Sequence, residues 1–182
     1  ARRVARRSIS SAADDFDETP AHMNKQQVLQ RIIEKLGVDL DIAIRAAQTA
    51  YETATHEENI AENKYDTLGL EASYLAAGQA RRVEEIRLSL NLYQNLALKP
   101  FDEARGIQSG DLIALESASG VEQWLFLGPD AAGLKVHLDD TLITVITPRA
   151  PLGQNLLGKF DGDEVEIRVN GTRQSFEITR VL

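Results

Sequence analysis

From Asn24 onward, apolar residues recur at steps of three and four: Val28, Ile32, Leu36, Leu40, Ile44, Ala47, Tyr51 and Ala54. That spacing predicts one amphipathic helix, a rod of about 45 Å at about 1.5 Å per residue. Asn24 is placed to cap its start, and Gly37 is a weak point where it can bend. A second stripe follows at Tyr65, Leu68, Ala72, Leu75, Gln79, Val83, Ile86, Leu90 and Tyr93, with Arg81, Arg82, Glu84, Glu85 and Arg87 on its flanks. Neither stripe can stay in water, and the link between them is short. The expected solution is an antiparallel helical hairpin packed like a coiled coil. Small residues at Ala46, Ala47, Ala72, Ala76, Ala77 and Gly78 allow the two rods to approach closely.

Lys99–Pro100 ends the second helix, because proline disfavours helix at the residue before it. Beyond it the period changes from about 3.6 to 2. Asp111–Glu116, Val121–Leu127, Leu134–Leu138, Leu142–Thr147, Glu164–Val169 and Ser175–Val181 read as strands, separated by turn signals. The strongest of these signals is Asn170–Gly171, a type I′ hairpin signature. The segment APLGQNLLGK, Ala150–Lys159, is long enough for one short helix. The expected class is therefore α+β: a hairpin over 23–98, then a small, mostly antiparallel sheet domain over 99–182.

Residues 1–22 stand apart, with a block of arginines (Arg2, Arg3, Arg6, Arg7) followed by Asp14, Asp15, Asp17 and Glu18. No apolar run follows the arginines, so a secretory signal is not supported. His22–Met23 looks like a junction before a native start, and the segment is expected to be an extension, a tag or a disordered arm.

Composition narrows the function. Of 182 residues none is Cys, which removes disulfides, thiol chemistry and Cys-ligated zinc. No apolar run approaches the roughly 20 residues needed to cross a bilayer. The net charge of −8 argues against a nonspecific binder of nucleic acid or membrane surface, which needs a positive field. His22, His56 and His137 lie in separate elements, so no His-based metal site or triad emerges. The glycines form neither a phosphate loop nor a dinucleotide fingerprint. Trp124 is expected in the core of the sheet domain.

The acid is concentrated instead at the bend, Thr55–Asp66. Between Glu52 and Asp66, Glu52, Glu57, Glu58, Glu62 and Asp66 stand against one cation, Lys64. A solvated turn and a carboxylate group carried at the end of an arm both fit this composition.

Glu62–Asn63 at the hairpin tip, a long second helix, PLGQNLLGK at 151–159 and GDEVEI at 162–167 together resemble the Gre-type bacterial transcript cleavage factors. The resemblance covers about residues 25–182. It implies a coiled-coil hairpin followed by an FKBP-like antiparallel sheet domain. It further implies a cytoplasmic transcription elongation factor whose partner is bacterial RNA polymerase and, through it, the RNA 3′ end. No membrane, no small-molecule substrate and a monomer are expected. In the family the C-terminal domain docks at the rim of the secondary channel, and the hairpin tip reaches the active site. There two acidic residues help hold the second catalytic Mg²⁺ while the polymerase cleaves backtracked RNA. That metal needs added carboxylate oxygens, because it is weakly bound and mostly hydrated.

Carried over residue by residue, Glu62 takes the family's glutamate, and Asn59 stands where the family has Asp. Asn59 supplies a neutral oxygen, so the tip loses one negative charge. Glu58, at i, i+4 from Glu62, shares its face if the bend is helical. The factor has no cofactor of its own; Glu62 and Glu58 would meet Mg²⁺ only together with the polymerase. Two outcomes stay open: stimulation of the polymerase's own RNA cleavage, or a regulator that occupies the channel without cleaving. Pro151, Leu152, Gly153, Leu156, Leu157 and Gly158 carry over as the docking loop. Arg81, Arg82 and Arg87 are a candidate basic face for RNA or polymerase, with ion pairing to Glu84 and Glu85 as the alternative. A prolyl isomerase is disfavoured, because the domain offers mainly Phe101, Trp124, Phe126, Phe160 and Phe176 where such pockets are aromatic-rich. A coiled-coil adaptor is the remaining class.

Overall fold

Asn24 starts the first helix as its side chain suggests, accepting from the Gln26 backbone N–H at 2.7 Å. The computed structural model describes residues 23–56, 67–169 and 171–182. Helix α1 spans Lys25–Thr55 and α2 spans Thr67–Gln94. The two run antiparallel: Leu36 faces Ile86, Ile44 faces Val83, and Tyr51 lies beside Ala76.

The seam between them differs from the expected stripes. On α1 the buried positions are Leu29, Leu36, Ala43 and Ala50, seven residues apart, together with Val28 and Ile32. Along α2 they run through Gly69, Val83, Ile86, Ser89 and Tyr93, with Ala72, Ala76, Gln79 and Leu90 half-buried between them. Tyr51 is 61% exposed and Leu75 57% exposed, and Ile44 is also exposed, so these three leave the expected stripes. The reason is steric. Towards the tip the buried positions are small, Ala43, Ala50 and Gly69, and the large neighbours Ile44, Tyr51 and Leu75 lie exposed beside them. Nearer the root the sheet also covers the seam, and there Leu29, Ile32, Leu36, Ile86 and Tyr93 fit inside.

The second half contains β1 (Leu112–Ser117), β2 (Glu122–Leu127), β3 (Lys135–Leu138), β4 (Thr141–Ile146), α3 (Pro151–Leu156), β5 (Glu164–Val169) and β6 (Thr172–Val181). They form one sheet in the order β3-β4-β2-β1-β6-β5. Its pairs are antiparallel except β2 with β4, which run parallel because β3 intervenes in sequence as a hairpin partner of β4. The sheet is therefore mixed. β6 begins three residues before the expected Ser175, since the hairpin register continues to Val169↔Thr172. Gly171, at φ 81°, takes the left-handed conformation that a type I′ turn requires.

Both faces of the central strands are covered. On one face Leu112, Ala114, Trp124, Phe126, Val136, Ile143 and Val145 join the hairpin root in a single core. On the other, Ile113, Leu115, Leu125, Leu127, Val165 and Ile178 pack with Ile107 and with Leu156 from α3. Two covered faces explain why LIAL and WLFL are continuous apolar runs rather than alternating ones. Trp124 is a core residue as expected, its indole N–H donating to Glu122 Oε1 at 2.7 Å.

Candidate functional site

The acidic tip lies outside the described residues, and with it Glu58, Asn59, Glu62 and Lys64. Among the described residues no group of three or more His, Asp or Glu side chains is placed to hold a metal ion, and no helix is long and apolar enough to cross a membrane.

The segment Pro151–Gly158, carried over above as a docking loop, lies wholly within the described residues. Pro151 opens α3 at its first position, where a missing N–H leaves no hydrogen bond unmade. Gly153 is buried, and a Cβ there would overlap the Thr147 carbonyl. The glycine of the PLG run is thus required by close packing of α3 on the chain that leads into it. One residue later in the turn the pattern splits. Leu156 is fully buried in the core beneath α3, whereas Leu157 is 43% exposed.

The loop beyond is clamped to the segment before β1. Gly158 N donates to Ile107 O at 2.9 Å, and Ile107 N donates to Lys159 O at 2.9 Å. Gly158 has φ 73°, and a Cβ on Gly106 would lie 2.6 Å from the Gly158 carbonyl. This clamp holds Leu157 on the outside. Phe160, 38% exposed, sits close by in an edge-on contact with Phe101, with ring centroids 6.4 Å apart. The Asn155 amide donates to Glu166 O at 2.8 Å and ties α3 to β5. Pro151 and Leu157 are exposed and Leu152 is half-buried, so this end of the domain shows a small apolar surface on a rigid frame. Phe160, also exposed and stacked edge-on against Phe101, was not among the carried-over residues, since it lies outside the PLG run.

The three arginines of α2 do not share a direction. Taking Arg81 as reference, Arg82 is rotated by about 100° and Arg87 by about 240°. Arg81 lies on the outer back of the hairpin, while Arg82 and Arg87 flank the seam on opposite sides. Arg82 pairs with Glu85 at 3.6 Å and Arg87 with Glu84 at 2.5 Å, both exposed i, i+3 pairs. Along the flank that carries Arg87, a groove of about 520 Å³ runs between the helices, walled by Ile44 and Tyr51 and floored by alanines.

No family model matches the chain. A curated relative, the transcription elongation factor GreA of Halorhodospira halophila, is 29% identical over 102 residues, 55% of this chain and 60% of that protein. The match therefore spans about three fifths of the relative's length. Among solved structures, the GreA factor homolog 1 (Gfh1) of Thermus thermophilus is 21% identical with a TM-score of 0.35, covering 86% of this chain and 93% of its own. GreA/GreB from Nitrosomonas europaea is 20% identical with a TM-score of 0.32, covering 54% and 92% respectively. Superpositions at these TM-scores carry no argument about how hairpin and sheet are arranged. The sequence match and the tip and PLGQNLLGK residues that carry the resemblance point the same way: over these 102 residues the chain is similar to a Gre-type bacterial transcription elongation factor.

Proposed function

We propose that the chain is a Gre-like transcription elongation factor that binds bacterial RNA polymerase and acts at its active site through the secondary channel. The 102-residue match to GreA carries this reading. The geometry of the PLG segment supports it, since a clamped loop holding Leu157 and Phe160 outward suits a fixed apolar docking contact. In this reading the sheet domain, FKBP-like in its architecture, docks at the channel rim, and the coiled-coil hairpin is the arm that enters. The arm suits that task, because its distal seam is packed by Ala43, Ala50 and Ala76 and is correspondingly slender. The factor works in the cytoplasm.

At the tip, Glu62 with Glu58 would add carboxylate oxygens to the polymerase's second Mg²⁺, a hard cation that prefers such ligands. Asn59 would offer only a neutral oxygen. Cleavage stimulation is the first reading and non-cleaving occupation of the channel the second, the latter favoured by Asn59. A backtracked elongation complex separates them. Shortening of its RNA that is lost in Glu62→Ala supports the first. No shortening by the wild type, but shortening with Asn59→Asp, supports the second. Absence of any effect on elongation by either protein contradicts the proposal as a whole.

A further inference from the structure

Where α2 meets the sheet, one residue receives hydrogen bonds from two different parts of the chain. Ser89 Oγ donates to Asp130 Oδ2 at 2.7 Å, and the Tyr93 hydroxyl donates to the Asp130 backbone carbonyl at 2.7 Å. Arg149 Nη2 donates to Asp130 Oδ1 at 2.9 Å. Ser89 and Tyr93 belong to α2, Asp130 to the β2–β3 connection, and Arg149 to the turn that enters α3.

The surroundings are shaped to this contact. Ser89 is buried on α2 beside Val83, Ile86 and Tyr93. Its hydroxyl also lies 3.1 Å from the Glu85 carbonyl, but it has one proton, and the shorter, charged acceptor is the stronger partner. Gly128 has no Cβ because one there would overlap the Tyr93 hydroxyl. Ala131, immediately after Asp130, has φ 57°, a left-handed conformation that a non-glycine residue adopts at a cost.

We infer that Asp130 is a positioning residue: it fixes the angle of the hairpin against the sheet domain and, through Arg149, ties that angle to the docking segment. Apolar packing alone does not fix such an angle, because it is non-directional and tolerates sliding of a helix over a sheet face. Hydrogen bonds from two successive turns of α2 to one residue are directional. Lys25 provides a second fixed point at the root of α1, its Nζ donating to Lys99 O at 2.6 Å and Asp111 Oδ1 at 2.9 Å. Leverage makes the angle matter. The start of α2 lies about 33 Å along the helix from Ser89, so a tilt of about 10° at the root moves the far end by about 6 Å. The consequence for an arm that must reach a catalytic centre rests on the elongation-factor reading; the assignment of Asp130 does not.

The chain has no cysteine, so a labelled pair can be introduced cleanly. Spin labels at Thr49→Cys on α1 and Gln174→Cys on β6 report the angle as a distance distribution. The parent protein is expected to give one narrow peak. Asp130→Ala and Ser89→Ala should broaden it or shift it by more than about 5 Å, and Asp130→Asn, which keeps an acceptor for Ser89, should fall between them. A lowered melting temperature with an unchanged distance distribution would make Asp130 merely structural and overturn the assignment. If Asp130→Ala does not fold, the Ser89→Ala distribution decides in the same way. A changed angle with unchanged action on polymerase would leave the assignment standing and count against the elongation-factor reading.

Discussion

Lys25 and Asp111 stand 86 positions apart in the chain and 2.9 Å apart in space. Their side chains are 13% and 8% exposed, and Asp111 also accepts from the Gln108 N–H at 2.8 Å. The first residue of α1 is thereby fixed to the strand entry of the sheet domain. Removing one partner of a buried, hydrogen-bonded pair leaves the other charge without compensation. Lys25→Ala is expected to cost about 3 kcal/mol, at the lower end of the range for such pairs. Urea denaturation at neutral pH measures it, and a loss below about 1 kcal/mol would mean that water replaces the lysine.

Tyr93 sits at the other root of the hairpin. Burial and the nearby Asp130 carboxylate push its ionisation well above the ordinary tyrosine value, and the hydrogen bond to the Asp130 backbone only partly offsets this. A group whose ionisation is raised on folding contributes stability that is complete below its unfolded value, about pH 10, and is lost as pH rises towards the folded one. Stability measured from pH 9.5 to 11.5 should therefore fall more steeply for the parent than for Tyr93→Phe. Parallel curves would show that the hydroxyl is not enclosed as described.

Four glutamates form a row across the sheet. Glu122 opposes Glu116, Glu116 opposes Glu177, and Glu177 opposes Glu164. Like charges directly opposite one another destabilise a sheet. Glu177→Gln, in the middle of the row, should stabilise the protein by about 0.2–1 kcal/mol at low salt. The gain should shrink in 1 M salt, where the Debye length falls to about 3 Å. A melting-temperature comparison at the two salt concentrations checks both statements.

Gly153 tests the docking segment as a structure. Its missing Cβ is required by the Thr147 carbonyl, so Gly153→Ala should force α3 away from that turn and cost about 1–3 kcal/mol. Thermal unfolding reads the cost. A neutral substitution would mean that α3 is free to shift.

How much of this was legible in the sequence follows from the range of the interactions involved. Glu164–Val169 has the bounds its alternation and the Asn170–Gly171 signal predict, because both are local. The hairpin was visible in outline, but its distal seam was not. Periodicity weights large residues, so it selects Ile44, Tyr51 and Leu75, whereas Ala43 and Ala50 are the buried positions there; of the small residues expected at the seam, Ala72 and Ala76 are half-buried and Ala77 and Gly78 are exposed. The parallel β2–β4 pair is a property of topology that no strand pattern encodes. Asp130 carries no local signal at all, since its partners lie 41, 37 and 19 residues away. The PLG run carries the resemblance, and only the packing of Gly153, Leu156 and Leu157 divides that segment into inward and outward residues.

The proposed docking to RNA polymerase runs through the segment that displays Leu157. Binding of the full chain to bacterial RNA polymerase core, measured by fluorescence anisotropy at moderate salt, tests it most directly, with Leu157→Asp as the paired variant. Because Leu157 points outward, the variant is expected to keep the parent's melting temperature to within a few degrees. Saturable binding by the parent, weakened at least tenfold by Leu157→Asp, is expected. No binding by the parent, or equal binding by a folded Leu157→Asp protein, would contradict it.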